Sequence, residues 1–301
     1  MSLTRAVIPQ VDDYCARPAL PGRLVGGRRC AGLLREDRPN RPLVSVVTPV
    51  FNGGGYLAQA LASVRDQSYD NVEHIVVDGG STDGTIDVLR AHDDSIDYWI
   101  SERDQGMYDA YNKGIALARG RYIKNLNHDD LLSPGSAAVA VGCFARHGDE
   151  VCLNSELELI DGSARSIERL GFARQVRFAP PFLHPSWYVP RAIYARHGLY
   201  CVHYRVASDQ EYFLRLREAG VPFVRAPEVL ASFRVGGMSS GYGGVRESFG
   251  IFGRYVGWPQ ATYVTAVMAW KKTRSNALHA LLGQRAHHVV AWLKRWRFGE
   301  R

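Results

Sequence analysis

Four strand-like runs recur between residues 43 and 132, and each is followed by a polar loop and a helical pattern. Apolar residues fill these runs almost continuously, which is typical of strands buried on both faces of a sheet. Successive units of strand, loop and helix predict an α/β fold with a mostly parallel sheet, right-handed crossovers and helices on both faces. The runs cover residues 43–48, 74–77, 96–101 and 122–126.

Acidic side chains follow three of these runs, at the point where each strand is expected to end. Asp78 follows the second run, Asp104 the third, and Asp129 with Asp130 the fourth. The carboxyl ends of parallel strands meet at one edge of a sheet, where α/β proteins bind their ligands. Carboxylates gathered there suit a divalent cation and a phosphate, because hard cations prefer oxygen ligands. Turn formation and helix capping are the alternative roles for the same residues.

Composition and charge narrow the class of protein. The chain has 301 residues, of which 46% are hydrophobic and 22% charged, as expected for one large globular domain or two closely packed halves. The net charge of +7 is concentrated in residues 254–301, which hold nine Lys or Arg against one acid, a local +8 that leaves the other 253 residues at about −1. A nucleic-acid-binding surface over the whole protein is therefore not expected.

Cysteine spacing and the apolar segments favour a cytoplasmic protein. The five cysteines are widely spaced without a CxxC pair, which predicts reduced thiols rather than disulfides or a zinc site. The sequence opens without an apolar segment of secretory length, and no stretch approaches about 18 apolar residues. We therefore expect neither export nor membrane spanning. Residues 1–42 contain five prolines and no sustained periodicity, so we predict an irregular N-terminal arm.

Six motifs carry a family resemblance that covers about residues 43–241. They read PLVSVVTPVFNGGGYLAQALASVRDQ, VDGGSTDGT, SERDQGMYDAYNKGIALARG, LNHDD, HPSWY and ASDQEYFLRL. Together, in this order and spacing, they resemble the family 2 glycosyltransferases, which have the GT-A fold, a Rossmann-like sheet. The resemblance implies a GT-A domain over residues 43–253, with a nucleotide-sugar half at 43–132 and an acceptor half at 133–253.

The resemblance also implies an inverting transferase that moves a sugar from a nucleoside diphosphate sugar to an acceptor hydroxyl, with Mn²⁺ or Mg²⁺ as cofactor. The donor would be a UDP-, GDP- or dTDP-sugar, and the acceptor a saccharide or a lipid-linked molecule in surface polysaccharide or glycolipid assembly. LNHDD matches the family's metal motif, with Asp130 as the expected metal ligand. Asp129 is expected nearer the ribose or among the groups that surround the direct ligands of the metal. His128 stands at a variable position, where a solvated loop histidine and a ligand are both open.

Donor-binding residues are implied by the same resemblance. Ser81 and Asp83 are candidates for contacts with the base and ribose, and capping of the following helix is their alternative role. Lys113 is either a partner of the diphosphate or a solvated lysine. The nucleotide-binding candidates are Pro49, Phe51, Asn52 and Asp78 for base and ribose, and Asp104, Asp109 and Asn112 along the donor sugar and phosphates.

The acceptor side requires a carboxylate that takes the proton of the attacking hydroxyl. Asp209 matches the family's catalytic base, and Glu211, two residues further along a predicted helix, is its competitor. His184 and Trp187 fall where relatives shape the acceptor site, either as a platform for a sugar ring or as a structural aromatic cluster. Arg234 and Ser239 are candidates for closing over the phosphates.

Residues 254–301 are predicted to form a basic amphipathic helical tail beyond the recognisable domain. Tryptophans beside Lys and Arg are typical of a helix lying on an anionic membrane surface, so the protein is expected in the cytoplasm or peripherally on the inner face of the cell membrane. A helix that packs on the catalytic domain with its charges in water is the alternative.

Two other functions remain open from the sequence. Nucleotidyl transfer to a sugar phosphate would also use a nucleotide-binding sheet, although no Gly-rich, Arg-containing loop follows the first strand. The second is a non-catalytic module on a GT-A scaffold that binds glycans or a membrane surface. The presence of Asp78, Asp130 and Asp209 argues against this hypothesis.

Overall fold

The computed structural model describes residues 7–170, 184–236 and 242–282. It shows a mixed α/β fold built on one large sheet, as the sequence predicts. The strands are β1 Leu24–Gly26, β2 Val44–Val50, β3 Val72–Asp78, β4 Tyr98–Ser101, β5 Tyr122–Asn125, β6 Leu131–Leu132, β7 Cys152–Ile160, β8 Ser166–Leu170, β9 Tyr188–Pro190 and β10 Phe223–Arg234.

Helices alternate with the strands in the first half and cluster after β9 in the second. The helices are α1 Val11–Cys15, α2 Leu57–Arg65, α3 Thr85–Ala91, α4 Met107–Leu117, α5 Ser136–His147, α6 Arg191–His197, α7 Ser208–Glu218, α8 Gly243–Val256 and α9 Trp258–Leu282. Two 3-10 turns, Arg28–Ala31 and His184–Ser186, complete the described elements. None of the described helices is long and apolar enough to cross a membrane.

The sheet runs in the order β1, β4, β3, β2, β5, β9, β7, β10, β6, with β8 added on β7. β2 lies between β3 and β5 and is parallel to both, and β4 continues the parallel part beyond β3. β9 pairs antiparallel with both β5 and β7, and β7 and β10 form a second parallel pair. The carboxyl ends of β2, β3, β4 and β5 therefore share one edge.

Both faces of the sheet are covered, which explains the continuous apolar runs. Val44 and Val46 pack with α2 and α5 on one face, whereas Val47 packs with α4, α6 and α7 on the other. α4 approaches β2 closely at Gly114, where an added Cβ would lie 2.2 Å from Val47 Cγ1. Any side chain at this position would push α4 away from the sheet.

The N-terminal arm is more ordered than its sequence predicts. It contains α1 and a 3-10 turn, and its strand β1 pairs antiparallel with β4 at the sheet edge. Four arginines at six-residue intervals pair with acids that are at least 95% buried in the body of the protein. These pairs are Arg17 with Asp109, Arg23 with Glu102, Arg29 with Glu73 and Arg35 with Asp97. These ion pairs, rather than local periodicity, order the arm.

The predicted boundary at residue 253 falls inside α8. Ile251 and Phe252 of α8 and Ala261 and Val264 of α9 belong to the same buried cluster as α4 and α7. Residues 254–264 therefore form part of the domain rather than a separate tail. The predictions for residues 283–301 lie outside the described residues.

Candidate active site

The first two polar loops at the sheet edge are joined by hydrogen bonds. Asn52, in a left-handed conformation with φ of 50°, accepts a hydrogen bond from Thr82 N at 2.9 Å through its side-chain oxygen. Its own backbone N–H donates to Ser81 Oγ at 2.7 Å. Asp83 accepts from Gly54 N at 3.2 Å and from Thr85 at the start of α3. Asn52, Ser81 and Asp83 thus shape the loops.

Asp78, predicted to read the nucleobase, uses its carboxylate inside the protein. It is fully buried, and Oδ2 accepts from Gly80 N, Ser81 N and Ser101 Oγ at 3.0, 3.0 and 2.6 Å. Oδ1 accepts from Ser81 Oγ. The described geometry therefore gives Asp78 a structural task, because its carboxylate ties the second loop to the end of β4.

Phe51 has the exposure that a stacking surface needs. Its side chain is 60% exposed at the end of β2, whereas Pro49 is buried within β2 and faces Val77 of β3 in the strand register. An exposed aromatic side chain at the ligand edge of the sheet suits a nucleobase.

Asp130, the predicted metal ligand, is turned into the protein. It is fully buried, Oδ1 accepts from Arg234 N at 2.9 Å and Oδ2 from Asn127 Nδ2 at 2.8 Å. Burial and the neighbouring charge of Asp129 raise the pKa of Asp130 to about 7. Asp130 therefore holds the loop against β10 and offers little surface to an ion.

Asp129 and His128 are the more accessible members of this loop, and both are partly buried. His128 packs on the first loop, since an added Cβ at Gly53 would lie 2.3 Å from its Cδ2. The described residues contain no group of three His, Cys, Asp or Glu placed to hold a metal by themselves. One accessible carboxylate fits Mg²⁺ or Mn²⁺ that also binds a diphosphate, because these cations take one or two protein carboxylates and substrate oxygens. The structure thus favours Asp129 over Asp130 as the ligand.

The Arg234 guanidinium, predicted as a candidate for closing over the phosphates, is engaged in contacts within the protein. Its guanidinium donates to Asp129 O at 2.9 Å, to Asp161 O at 2.7 Å and to Gln59 Oε1 at 2.9 Å, and it lies 4.3 Å from the ring centre of Tyr56. With only 3% of the residue exposed, Arg234 connects the acidic loop to the turn after β7 and to α2. The suggestion for Ser239 lies outside the described residues.

Asp209 has the environment expected of a general base. It lies in the first turn of α7, where Tyr108 Oη donates to Oδ1 at 3.0 Å and Gln210 N donates to the same atom at 2.8 Å. Oδ2 accepts no hydrogen bond within the described residues. Burial raises the pKa of Asp209 to about 6, against the opposing effect of the hydrogen bond from Tyr108. A partly buried carboxylate with one unengaged oxygen can accept a proton near neutral pH.

Glu211, the competitor of Asp209, is fully buried and paired inside the protein. Arg215 Nη2 lies 3.0 Å from its Oε2, and Tyr255 Oη donates to its Oε1 at 2.7 Å. The carboxylate links α7 to α8. These contacts favour Asp209 as the proton acceptor.

Helix α4 joins Asp209 to the acidic loop. Tyr108 and Tyr111 lie one turn apart, and Tyr111 Oη donates to Asn127 Oδ1 at 2.7 Å while Asn127 reaches Asp130. Residues three apart on a helix are surface neighbours, about 5–6 Å apart at Cβ. The charges of Asp129, Asp130 and Asp209 all raise the pKa of Tyr111, alongside the larger effect of burial. The structure therefore brings these acids, distant in sequence, to one region.

Asp109 and Asn112, predicted to lie along the donor, are used elsewhere on α4. Asp109 Oδ1 accepts from Tyr14 Oη at 2.6 Å and Arg17 Nη1 at 2.9 Å, so it anchors the N-terminal arm. Asn112 is fully buried and exchanges two hydrogen bonds with the backbone of Tyr200, at 2.8 and 2.9 Å. In the described geometry both side chains are engaged within the protein, and their contacts with a donor stay predictions.

Lys113 and Asp104 differ in accessibility. Lys113 Nζ lies 2.9 Å from Glu102 Oε1 and donates to Arg103 O at 3.0 Å, so it is not a solvated lysine. Burial would raise the pKa of Glu102, but hydrogen bonds from Arg23 and Lys113 outweigh it and lower that pKa to about 2. Asp104 is partly buried and packs on Gly79, where an added Cβ would lie 2.6 Å from its Oδ2. Asp104 therefore lies at the edge of the sheet where ligands are predicted to bind.

His184 and Trp187 form part of a buried aromatic cluster rather than an open platform. They are 7% and 3% exposed, and His184 Nε2 lies 2.8 Å from Tyr200 Oη. Trp187 packs on Phe213 and Phe223, with ring centres 6.0 and 5.6 Å away. An indole covered in this way offers little surface to a sugar ring, which favours the alternative of a structural aromatic cluster.

Three functional neighbours were missed in the sequence. Tyr108 and Tyr111 read as core positions of an amphipathic helix, although their three-residue spacing and polar tips could have indicated a role beside the site. Lys124 reads as part of a strand, yet its amine is fully buried and donates to Pro185 O and Trp187 O. Burial lowers the pKa of Lys124 to about 7, and Asp130 opposes this. Nothing in the sequence around Lys124 predicts these contacts.

Comparison with known proteins shows the family of the chain. Residues 45–156 match the family described as Glycosyl transferase family 2. An uncharacterized glycosyltransferase of Mycobacterium tuberculosis is 34% identical over 226 residues, covering 70% of this chain and 81% of that protein. A PGL/p-HBAD biosynthesis glycosyltransferase of Mycobacterium bovis is 28% identical over 185 residues, covering 58% of this chain and 69% of that protein.

Solved structures share the fold at low sequence identity. Mannosyltransferase PcManGT from Pyrobaculum calidifontis, in complex with GDP-Man and Mn²⁺, superposes with a TM-score of 0.55 at 16% identity, covering 97% of this chain and 93% of that one. S. aureus TarS 1-349, in complex with UDP-GlcNAc, gives 0.56 at 15% identity, covering 83% and 79%. The fold is therefore GT-A, and the chain belongs to the family 2 glycosyltransferases.

Proposed function

We propose that this glycosyltransferase is inverting and metal-assisted, and that it transfers a sugar from a UDP-, GDP- or dTDP-sugar to a hydroxyl of a saccharide or lipid-linked acceptor. The observation that carries the proposal is Asp209, a carboxylate in which one oxygen accepts two hydrogen bonds and the other accepts none from the described residues. It is linked through α4 to the loop of Asp129 and Asp130. Relatives named for PGL/p-HBAD biosynthesis support a glycan or glycolipid product.

The donor would lie along the ends of β2 to β5, with its base against Phe51 and its phosphates near Asp104 and Asp129. Asp129 would hold the cation, and Asp130 and Arg234 keep the loop in place through their contacts with β10 and β7. When bound, Mg²⁺ or Mn²⁺ supplies positive charge to the departing diphosphate.

Asp209 takes the proton of the acceptor hydroxyl on Oδ2. The acceptor oxygen forms a bond to the anomeric carbon while the bond from that carbon to the diphosphate oxygen breaks. Attack on the face opposite the leaving group inverts the anomeric centre. Because the pKa of Asp209 is raised to about 6, the base is mainly ionised at pH 7 and loses its function as the pH falls below 6.

A donor screen tests this proposal. Ligands that bind the folded state raise the melting temperature, by about 5–10 °C at a hundredfold excess over Kd. We expect one nucleoside diphosphate to give the largest shift and Mn²⁺ to increase it. With the matching sugar nucleotide and an acceptor, the expected product is a nucleoside diphosphate with an inverted glycoside. Pyrophosphate as product would indicate nucleotidyl transfer, and binding without turnover of any donor would indicate a non-catalytic module.

Membrane attachment through the C-terminal helix is the second part of the proposal. Tyr263 and Trp270, seven residues apart in α9, are 71% and 62% exposed, and the Arg274 guanidinium lies 5.2 Å from the Trp270 ring centre. Residues 254–301 carry nine Lys or Arg against one acid. Outward aromatic and basic side chains suit an anionic lipid surface.

Vesicle binding measures this attachment. We expect sedimentation with phosphatidylglycerol-containing vesicles and not with pure phosphatidylcholine, and release at high salt, because each cation near the surface contributes about 1 kcal/mol. The double change Tyr263→Ser with Trp270→Ser should weaken binding, whereas Leu33→Ser, which alters an exposed apolar side chain on the arm, should not. Equal binding to both vesicles would exclude the electrostatic attachment.

A further inference from the structure

Two tyrosines on α4 contact the two halves of the site separately. Tyr108 reaches Asp209, at 3.0 Å, and Tyr111 reaches Asn127 of the acidic loop, at 2.7 Å. Their ring centres are 6.4 Å apart, and the residues are 3% and 0% exposed. A phenol buried this deeply is expected to have its hydroxyl partnered, and here each hydroxyl binds a different functional group.

We propose that Tyr108 is a positioning residue for the general base, with its hydroxyl holding Asp209 Oδ1 so that Oδ2 faces the acceptor hydroxyl. This inference rests on the proposed function, since it gives Asp209 the role of proton acceptor. Hydrogen bonds to an ionised carboxylate are stronger than those to its neutral form. Tyr108 therefore favours the charged, proton-accepting state of Asp209.

A second acceptor lets Tyr108 follow the protonation of Asp209. Val206 O also lies 3.0 Å from Tyr108 Oη, and a hydroxyl has one proton to donate. While Asp209 is ionised, that proton points to Oδ1. When Oδ2 has taken the acceptor's proton, the carboxyl group is a weaker acceptor and the Tyr108 proton turns to Val206 O. Every proton is accounted for: one moves from acceptor to Asp209, and the Tyr108 proton stays on its oxygen.

Other ionisable groups near Asp209 differ in their effect on its pKa. Glu247 of α8 raises its pKa by repulsion, although the Glu247 carboxylate itself accepts the backbone N–H groups of Arg205, Val206 and Ala207, each at 2.9 Å. On α7, Glu211 is neutralised by Arg215. On α4, Tyr111 faces the same region as an uncharged phenol. Tyr108 donates the side-chain hydrogen bond that lowers the pKa of Asp209 and so opposes the effect of burial.

The test is the pH dependence of kcat in Tyr108→Phe. Loss of the hydroxyl removes an interaction that lowers the pKa of Asp209, so the acid limb of the profile should move to higher pH by about 0.5–1 unit. At pH 6 this corresponds to a roughly two- to fivefold loss of kcat. The KM for the donor should stay near its wild-type value, because Tyr108 is not placed at the donor. An unmoved acid limb in a variant that melts like the wild type overturns the proposal.

Two matched tyrosine variants separate this effect from structural damage. Tyr122 Oη also donates to a carboxylate, Asp149 Oδ1 at 3.0 Å, but it lies at the opposite end of β5. Tyr122→Phe should therefore leave the acid limb in place. Tyr111→Phe should also leave it in place, while reducing the Mn²⁺-dependent increase in melting temperature with nucleoside diphosphate. A limb that shifts equally in all three variants contradicts a specific role of Tyr108.

Replacement of Tyr108 by 3-fluorotyrosine keeps the ring and the hydroxyl, so it also serves if Tyr108→Phe does not fold. Fluorine makes the phenol a stronger donor, and the acid limb should move to lower pH, opposite to Tyr108→Phe. A shift to higher pH, or none, overturns the proposal. Wild-type protein that transfers sugar from no donor would instead refute the proposed function, and the two failures are therefore distinct.

Discussion

Asp209→Asn is expected to lower kcat by about 10²–10⁴-fold, the usual contribution of a positioned general base. Asparagine has nearly the same shape, and its side-chain oxygen can accept the hydrogen bonds from Tyr108 and Gln210. Its amide cannot take up the acceptor proton. The loss should therefore appear in kcat, with KM for the donor and the nucleotide-induced thermal shift close to wild type. Initial rates of nucleoside diphosphate release at saturating donor measure it.

Glu211→Gln is the matched control, two residues along the same helix. Glu211 is fully buried against Arg215 and Tyr255, so its neutralisation leaves Arg215 without its charged partner. We expect a loss of about 3 kcal/mol in the free energy of unfolding and a kcat per folded molecule near wild type. If Asp209→Asn keeps full turnover while Glu211→Gln loses it in a folded protein, the two acids exchange roles and the mechanism proposed above is wrong.

The fold was accessible from the sequence because its strongest signals are local. The run that forms β2 is apolar on both faces, which happens only when helices cover a sheet on both sides. The loops after β2, β3 and β4 then fall at one edge by topology alone. The order of the N-terminal arm was missed, since it depends on pairing Arg17 and Arg29 with acids 44 or more residues away.

Only part of the site could be predicted from the sequence, because the type of a residue does not tell whether its side chain points into the protein or toward solvent. Asp129 and Asp130 are adjacent acids in a loop, and sequence alone cannot tell which one turns toward Arg234 N in β10. The same limit explains His184, whose ring nitrogen is taken by Tyr200 sixteen residues later. Asp129 follows β5 at the edge where topology predicts ligands, whereas Asp209 lies at the start of α7. The contacts to these two residues come from β10 and α4.

Asp129→Ala is expected to abolish the Mn²⁺-dependent part of the thermal shift with nucleoside diphosphate, and to lower kcat/KM by about 10²–10⁴-fold, since a bound cation supplies several kcal/mol of charge stabilisation. Asp129 is the partly buried acid of the pair and its carboxylate is the accessible one. Its removal should not lower the melting temperature without ligand, because the contact with Arg234 uses the backbone oxygen of residue 129. Melting curves with nucleotide, with and without Mn²⁺, measure both effects.

Asp130→Asn separates metal binding from loop support. The buried amide can replace only one of the two acceptors that serve Arg234 N and Asn127 Nδ2, and an unpaired buried donor costs about 1–3 kcal/mol. The melting temperature should therefore fall by about 2–8 °C without ligand, while the Mn²⁺-dependent increment persists. The opposite pattern, in which Asp130→Asn loses the increment and Asp129→Ala keeps it, would return the cation to Asp130. That outcome would require the loop to turn its buried acid outward when the diphosphate binds.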